Sequence, residues 1–256
     1  MREPVSLEYE DEKSKRWIDD NIAIFKIKKG IFDSLTDLGR SDSNFSYFDR
    51  VEQDKEIQAV LLLNEEGSLG EKAYDRFVKN IFGKTGRRNL YQDVNFDKRT
   101  LRAREINILK RFILKAVELN KIILAGLNGT IVTPFFGVSL AFDFRFAARD
   151  TKFSLAHNEY GLHPGGALPF FLPRYVGRSK AIEILFNTRE FSAKEAKETG
   201  LVNNIFPQDE FEIRCIQETK KICINTNTNV LRSTKPLINH FNKELEHYLE
   251  KESVFV

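Results

Sequence analysis

Short apolar runs and longer amphipathic segments alternate along this chain, and that pattern predicts an α/β fold. Runs that are apolar throughout are typical of strands buried on both faces. They occur at residues 59–63, 122–127 and 144–148. Strands are also expected at residues 5–9 and 22–27, joined by a charged turn over residues 11–19. The order along the chain is therefore repeated strand–strand–helix units followed by a helical tail.

Helices are predicted between these strands and in the C-terminal part of the chain. Residues 101–120 carry apolar side chains at helical spacing, with charged side chains opposite. A capping box from Ser192 to Glu195 begins a short helix that Gly200 ends. Further helices are expected at residues 179–186, 209–224 and 229–250, a strand at 201–206, and loops at 64–70 and 83–98.

The composition of the chain narrows the possible functions without indicating a particular one. The chain has 256 residues, and 40 Lys and Arg against 37 Asp and Glu leave a net charge of +3, which gives no reason to expect nucleic acid. We interpret the basic stretch 84–104 as solvated helix surface rather than a phosphate or RNA site. No apolar run approaches the roughly 18 residues that span a bilayer. Cys215 and Cys223 are too far apart along one helix for a disulfide, and a cytoplasmic protein is expected.

An ordered series of motifs between residues 127 and 203 points to one family. The motifs are Asn128-Gly129, the strand from Asp143 to Ala148, Pro164-Gly165, Leu172-Pro173-Arg174 and the segment 192–203. Together they resemble the crotonase (enoyl-CoA hydratase/isomerase) superfamily, and the resemblance fades towards the N-terminus. It implies an α/β crotonase-like spiral of ββα units over residues 1–195. Residues 196–256 would form a helical region for packing and oligomerisation. It also implies trimers or dimers of trimers.

The resemblance further implies the ligand, an acyl thioester of coenzyme A or pantetheine, with no separate cofactor. Members of the family hold the thioester carbonyl with two backbone N–H groups, and such fixed dipoles stabilise an enolate or another oxyanion. One donor would be Phe135, at a helix start. The other would follow strand 59–63, at Gly70 and Glu71 if a short gap is allowed or at Tyr74 if it is not. We favour the gap, because Gly70 suits the turn and a helix pattern follows it.

Three substitutions depart from the family pattern. Pro134 falls on a glycine whose N–H would complete the oxyanion hole, and proline has no N–H to donate. Gly137 and His157 fall on the two acid/base glutamates of the hydratases. Hydration by the usual pair of carboxylates is therefore not expected. The predicted substrate pocket consists of Pro134, Phe136, Gly137, Gly165 and Gly166.

His157 is the main candidate for acid/base chemistry, because an imidazole exchanges protons near neutral pH. Glu159 would orient it or act as a carboxylate itself. The alternatives are a histidine hydrogen-bonded to backbone and a solvated glutamate. The spacing in residues 157–163 is not that of a zinc site. The reaction would be of isomerase, decarboxylase, hydrolase or lyase type, and the competing hypothesis is a non-catalytic binding or assembly subunit.

Overall fold

The computed structural model describes residues 6–82, 96–187 and 190–254. The predicted loop and basic positions at residues 83–95 lie outside these ranges. The strands of the described chain are β1 Tyr9–Glu10, β2 Ser14–Asp19, β3 Ile22–Ile27, β4 Ala59–Asn64, β5 Ile122–Leu127, β6 Thr130–Val132, β7 Phe144–Ala148, β8 Lys152–Ser154, β9 Glu190–Ser192 and β10 Asn204–Phe206.

Helices connect and cover these strands. In chain order they are α1 Ile31–Thr36, α2 Leu38–Gln53, α3 Glu71–Phe82, α4 Phe96–Glu118, α5 Thr133–Ser139, α6 His157–Tyr160, α7 Leu168–Val176, α8 Arg178–Asn187, α9 Ala193–Glu198, α10 Phe211–Asn225, α11 Thr228–Ile238 and α12 Asn242–Glu252. In the described part of the chain, no helix is long and apolar enough to cross a membrane.

The strands form two sheets. The larger has the order β1-β2-β3-β4-β5-β7-β10, and its strands are parallel from β3 onwards, whereas β1 and β2 are antiparallel. The smaller has the order β6-β8-β9. Because β5 leads into β6 and β7 into β8, the chain passes repeatedly from the large sheet to the small one. This is the spiral of strand–strand–helix units that the sequence predicts.

The apolar runs become the centre of the large sheet, as predicted. Every residue of β4 and β5 is buried. On one face they pack against Phe211, Cys215 and Cys223, on the predicted helix that is now α10. On the other face they pack against α2, α4 and α5. Cys215 and Cys223 are both free thiols, as their spacing predicts.

The structure corrects the N-terminal part of the prediction. Residues 14–19, expected in a turn, form β2 and pair antiparallel with β3. The charges misled the prediction because β2 lies near the sheet edge, where polar side chains are tolerated. Arg16 is buried nevertheless, with its guanidinium over the rings of Tyr9, Phe25 and Tyr47. Helices α1 and α2 were not predicted.

The C-terminal part differs in detail. The capping box at Ser192 is present and begins α9. The predicted boundary between residues 195 and 196 falls inside that helix, and β10 beyond it pairs with β7, so the helical part proper begins at α10. The single helix expected over residues 229–250 is divided into α11 and α12.

Candidate active site

The amino ends of α3 and α5 lie side by side. Asn64, at the end of β4, donates from Nδ2 to the Asn128 carbonyl at 2.8 Å and accepts the Asn128 N–H at 3.0 Å. The Val132 N–H donates to the Leu69 carbonyl at 3.0 Å. These bonds hold the loop before α3 against the strand before α5. The first N–H groups of a helix have no partner within it, and they form its positive end.

The hydrogen bonds at the start of α3 bear on the two candidates for the first N–H donor. The Tyr74 N–H donates to the Gly70 carbonyl at 3.1 Å within α3, so it is not available to a ligand. Glu71 is the first residue of α3, directly after Gly70. Its carboxylate accepts a hydrogen bond from Ser154 Oγ at 2.6 Å, which ties the helix start to β8. The alignment with a gap therefore places Gly70 and Glu71 at the start of α3, whereas the alignment without a gap places the donor at Tyr74, inside the helix.

Pro134 and Phe135 lie in the first turn of α5. Pro134 follows Thr133 at the start of the helix, where a missing N–H breaks no helical hydrogen bond. The ring of Phe135 packs against Phe32, with centroids 5.2 Å apart. Phe136, one residue later, points elsewhere because successive helical side chains diverge by about 100°. Its ring packs against Phe153 and Phe191, so Phe136 belongs to the core under the small sheet and not to the predicted pocket.

The glycines at residues 137, 165 and 166 form a tight backbone contact. A Cβ added to Gly137 would lie 2.4 Å from the Gly166 carbonyl oxygen and 2.9 Å from that of Gly165. A Cβ added to Gly166, whose φ is +71°, would lie 2.0 Å from the Pro134 carbonyl oxygen. The space in which a glutamate at position 137 would begin is therefore filled by the loop before α7.

His157 is buried, with 2 % of its surface exposed. Its Nδ1 lies 2.7 Å from Thr133 Oγ1, and the ring is also hydrogen-bonded to the backbone of Leu185. Burial lowers the pKa of His157 to about 4, more than the bond to Leu185 raises it. A neutral imidazole with such partners resembles the structural alternative more than an acid/base group. Glu159 lies on the exposed side of α6, so the structure does not bring the two together in one pocket.

An apolar cavity of about 130 Å³ opens beside the two helix starts. Leu69, before α3, and Phe135, in α5, form part of its wall. The rest comes from α1, α2, α4, the ends of the central strands and the remainder of α5, including Phe45, Phe48, Leu62, Phe112, Ala125 and Val138. An engineered core cavity of roughly 150 Å³ binds benzene, so this one has room for a short or aromatic acyl group.

A second, smaller cavity lies beside Pro134, Gly165 and Gly166, and sequence reasoning missed its charged residues. Arg102 and Glu105 of α4 and Glu252 of α12 contribute to its wall. A signal exists in the sequence: Glu105 continues the apolar stripe of Leu109 and Ile113, four and eight residues later. Glu252 likewise continues the stripe of Leu245 and Leu249. Among the described residues, no three His, Cys, Asp or Glu side chains are grouped as a metal site requires.

Comparison with known proteins identifies the family. The sequence profile of the enoyl-CoA hydratase/isomerase family matches residues 91–255. Mouse peroxisomal enoyl-CoA delta isomerase 3 is 25% identical over 205 residues, 77% of this chain and 64% of the relative. A 4-chlorobenzoyl coenzyme A dehalogenase from Arthrobacter is 35% identical over 97 residues, 38% of this chain and 35% of the relative. The chain thus spans less than two thirds of the length of these curated relatives.

The fold agrees over nearly the whole chain. The crystal structure of enoyl-CoA hydratase from Bacillus halodurans superposes with a TM-score of 0.77 at 19% identity, covering 95% of this chain and 93% of that one. An enoyl-CoA hydratase/isomerase from Cupriavidus metallidurans superposes with a TM-score of 0.71 at 21% identity, covering 97% and 91%. This chain has the crotonase fold and belongs to the enoyl-CoA hydratase/isomerase family.

Proposed function

We propose that the protein binds an acyl thioester of coenzyme A and stabilises its enolate between the amino ends of α3 and α5. The observation that carries the proposal is the bond from the Val132 N–H to the Leu69 carbonyl, which joins the two helix starts at the mouth of an apolar cavity. The thioester oxygen would accept the N–H groups of Glu71 and Phe135. The acyl group would occupy the cavity.

Electrostatics supports Phe135 as the second donor. Pro134 has no N–H, so the next residue of α5 is the first after it that can donate. A helix amino end carries a partial positive charge, which favours an oxyanion placed there. Donors fixed by the fold need not reorganise as that charge develops, and one such donor typically contributes about 10²–10³ in rate.

The reaction that fits best is the movement of a proton between carbons of an enoyl thioester. Gly137 and His157 stand at the positions of the hydratase glutamates, so direct addition of water by that pair is not supported. Enolate formation needs only one acid/base group besides the N–H donors. The relatives include enoyl-CoA delta isomerases from mouse and rat. An isomerase-type reaction is therefore proposed ahead of decarboxylation, hydrolysis and carbon–carbon cleavage.

The test combines binding and exchange. Acetyl-, butyryl- and hexanoyl-CoA are titrated into the protein by calorimetry, and exchange of the α-protons is followed by NMR in D₂O. We expect binding together with enzyme-dependent exchange of butyryl-CoA. Absence of binding for every thioester would refute the proposed function.

The apolar cavity gives a prediction about chain length. Ala125 of β5 is buried in its wall, and Ala125→Leu would add three carbons to that space. Each buried methylene contributes about 0.8 kcal/mol, so hexanoyl-CoA should lose at least about tenfold in affinity. Acetyl-CoA, whose acyl group is shorter, serves as the control ligand and should bind the variant as it binds the wild type. Equal losses of affinity for both thioesters would show that the acyl group does not bind in this cavity.

A second candidate function is a non-catalytic subunit that binds acyl thioesters or assembles with others. The contact of Gly137 with the carbonyls of Gly165 and Gly166 favours it, because that contact fills the space of a family carboxylate. Thioester binding without α-proton exchange would support this candidate against the enzyme.

Self-association as a trimer or a dimer of trimers is also proposed. Large apolar side chains are exposed on α8 and α11, namely Phe186, Val230, Leu237 and Ile238. Light scattering on the purified protein measures the assembly, and a monomer at micromolar concentration would contradict it. Cytoplasmic location stays a prediction, which imaging of a tagged protein tests.

A further inference from the structure

The small cavity lies on the other side of the α5 start from the apolar cavity. Pro134 lines the small cavity and Phe135 the apolar one, while Leu109 of α4 contributes to both. The small cavity measures about 10 Å³, which is roughly the room of one water molecule. A thioester bound at the start of α5 would therefore have an apolar space on one side and a polar, water-sized space on the other.

The charged groups at this cavity are almost fully enclosed. Arg102, Glu105 and Glu252 are exposed by 5 %, 0 % and 6 %. Arg102 forms an ion pair with Glu105 through the Oε2 atom. Both carboxylate oxygens of Glu252 accept the Ala167 N–H, at 3.2 Å. Burying charged groups in this way lowers the stability of the folded protein unless each charge is paired with an opposite charge and hydrogen-bonded.

One oxygen of the cluster lacks a partner. Glu105 Oε1 is buried and accepts no hydrogen bond within the described structure. A buried acceptor left unsatisfied destabilises the folded protein, and more so when it is charged. Since Glu105 lines the cavity, a water there can donate to this oxygen. The unsatisfied atom thus points to a ligand and not only to a structural ion pair.

The carboxyl group of Glu252 has a raised pKa. Burial raises its pKa to about 7, although the Ala167 N–H and Arg102 act in the opposite direction. Groups with a pKa near the working pH are the most effective general acids and bases. The other titratable groups at the cavity or beside Glu252 are Arg102, Glu105, Lys110, His163, Tyr74 and Tyr248.

We propose that Glu252 is the acid/base group of this protein, exchanging a proton with the bound thioester through one water held by Glu105 and Glu252. Arg102 and Glu105 position that water. This inference rests on the proposed function. It assigns proton transfer to α4 and α12 instead of the family positions occupied by Gly137 and His157.

The transfer balances without any other reactant. The water takes a proton from the carbon next to the thioester and passes its own proton to the Glu252 carboxylate. The electron pair of the broken C–H bond forms the enolate, whose oxygen accepts the N–H groups of Glu71 and Phe135. Return of the proton to the same carbon gives exchange with solvent, and its return further along an enoyl chain gives the isomer.

The test uses Glu252→Gln, Glu105→Gln and the control Glu250→Gln, which lies exposed on the same helix. Exchange of butyryl-CoA α-protons in D₂O is measured from pH 5 to 9, beside thioester affinity and thermal unfolding. Wild-type exchange should rise with pH through about 7, as Glu252 loses its proton. Glu252→Gln should lower exchange by about 100-fold or more, with affinity within a few-fold of wild type. Glu105→Gln should lower it too, and Glu250→Gln should leave it unchanged.

The outcomes separate this inference from the proposed function. If the Glu252→Gln variant exchanges α-protons at the wild-type rate, the inference is overturned and the proposed function stands. If that variant does not fold, a wild-type rate that is flat from pH 5 to 9 would overturn it equally. Binding without exchange would overturn the inference in favour of the non-catalytic subunit, whereas absence of binding would refute the proposed function itself.

Discussion

Gly137→Glu, which places a glutamate where the family resemblance puts the first hydratase carboxylate, is expected to prevent folding instead of creating a hydratase. The new Cβ would lie 2.4 Å from the Gly166 carbonyl oxygen, closer than real Cβ contacts come. The loop approaches α5 at a second point as well, since a Cβ added to Gly166 would lie 2.0 Å from the Pro134 carbonyl oxygen. Backbone must therefore move, and overpacking of a buried site costs about 1–3 kcal/mol or more. A buried, unpaired carboxylate would add to that cost.

The milder substitution Gly137→Ala isolates the steric contribution to the loss of stability. Alanine normally stabilises a helix by about 1 kcal/mol relative to glycine, yet here we expect a loss of about 3 kcal/mol. Gly39→Ala in α2 is the matched control, since its new Cβ would find no atom nearer than 3.5 Å. Urea denaturation of both alanine variants measures the difference. A Gly137→Ala protein as stable as wild type would mean that the loop before α7 adapts, and that a carboxylate can be accommodated there.

His157 is expected to act on stability more than on proton transfer. Its pKa in the folded protein is about 4, below the ordinary value of 6.5. A histidine with a lowered pKa contributes stability that is present above pH 6.5 and is lost as the pH falls towards 4. At 1.36 kcal/mol per pKa unit, the loss is about 3 kcal/mol. His163 has a pKa lowered to about 4 as well. The contribution of His157 to the loss of stability is therefore obtained by comparing the wild type with a variant at position 157.

The measurement compares wild type with His157→Gln by urea denaturation at pH 7.5, 5.5 and 4. The variant should be less stable at pH 7.5, because the Thr133 and Leu185 bonds are lost or weakened. The difference in free energy of unfolding between the wild type and the variant should shrink by about 3 kcal/mol at pH 4. The exposed His247→Gln serves as control. If instead His157→Gln retains its stability and loses α-proton exchange by 10²-fold or more, His157 is the acid/base group after all.

The sequence predicted the parts of the site that depend on local signals. Pro134 at a helix start has a backbone requirement that can be recognised from its residue type and its neighbours. The outward direction of Glu159 and the inward packing of Phe136 could not be recognised in this way. Both depend on which face of a short helix meets the core, and four to seven residues give too little periodicity to decide it.

Two larger features were also beyond local signals. The charges of β2 were interpreted as a turn, because the cluster of Tyr9, Phe25 and Tyr47 that receives Arg16 is assembled from separate elements. Glu105 and Glu252 were not identified as site residues from the sequence. Only the packing of α12 on α4 encloses them, because an apolar stripe shows that a carboxylate lies on a buried face but not which helix meets that face.

By itself, the sequence determined the central strands, the order of the units and the family. These follow from apolar runs and motifs, which act over a few neighbouring residues. The tertiary structure alone decided that the space at Gly137 is filled, that His157 is enclosed, and that a charged cluster stands beside the α5 start. Each of these is a contact between elements distant in sequence, and burial and pKa follow from such contacts and not from residue type.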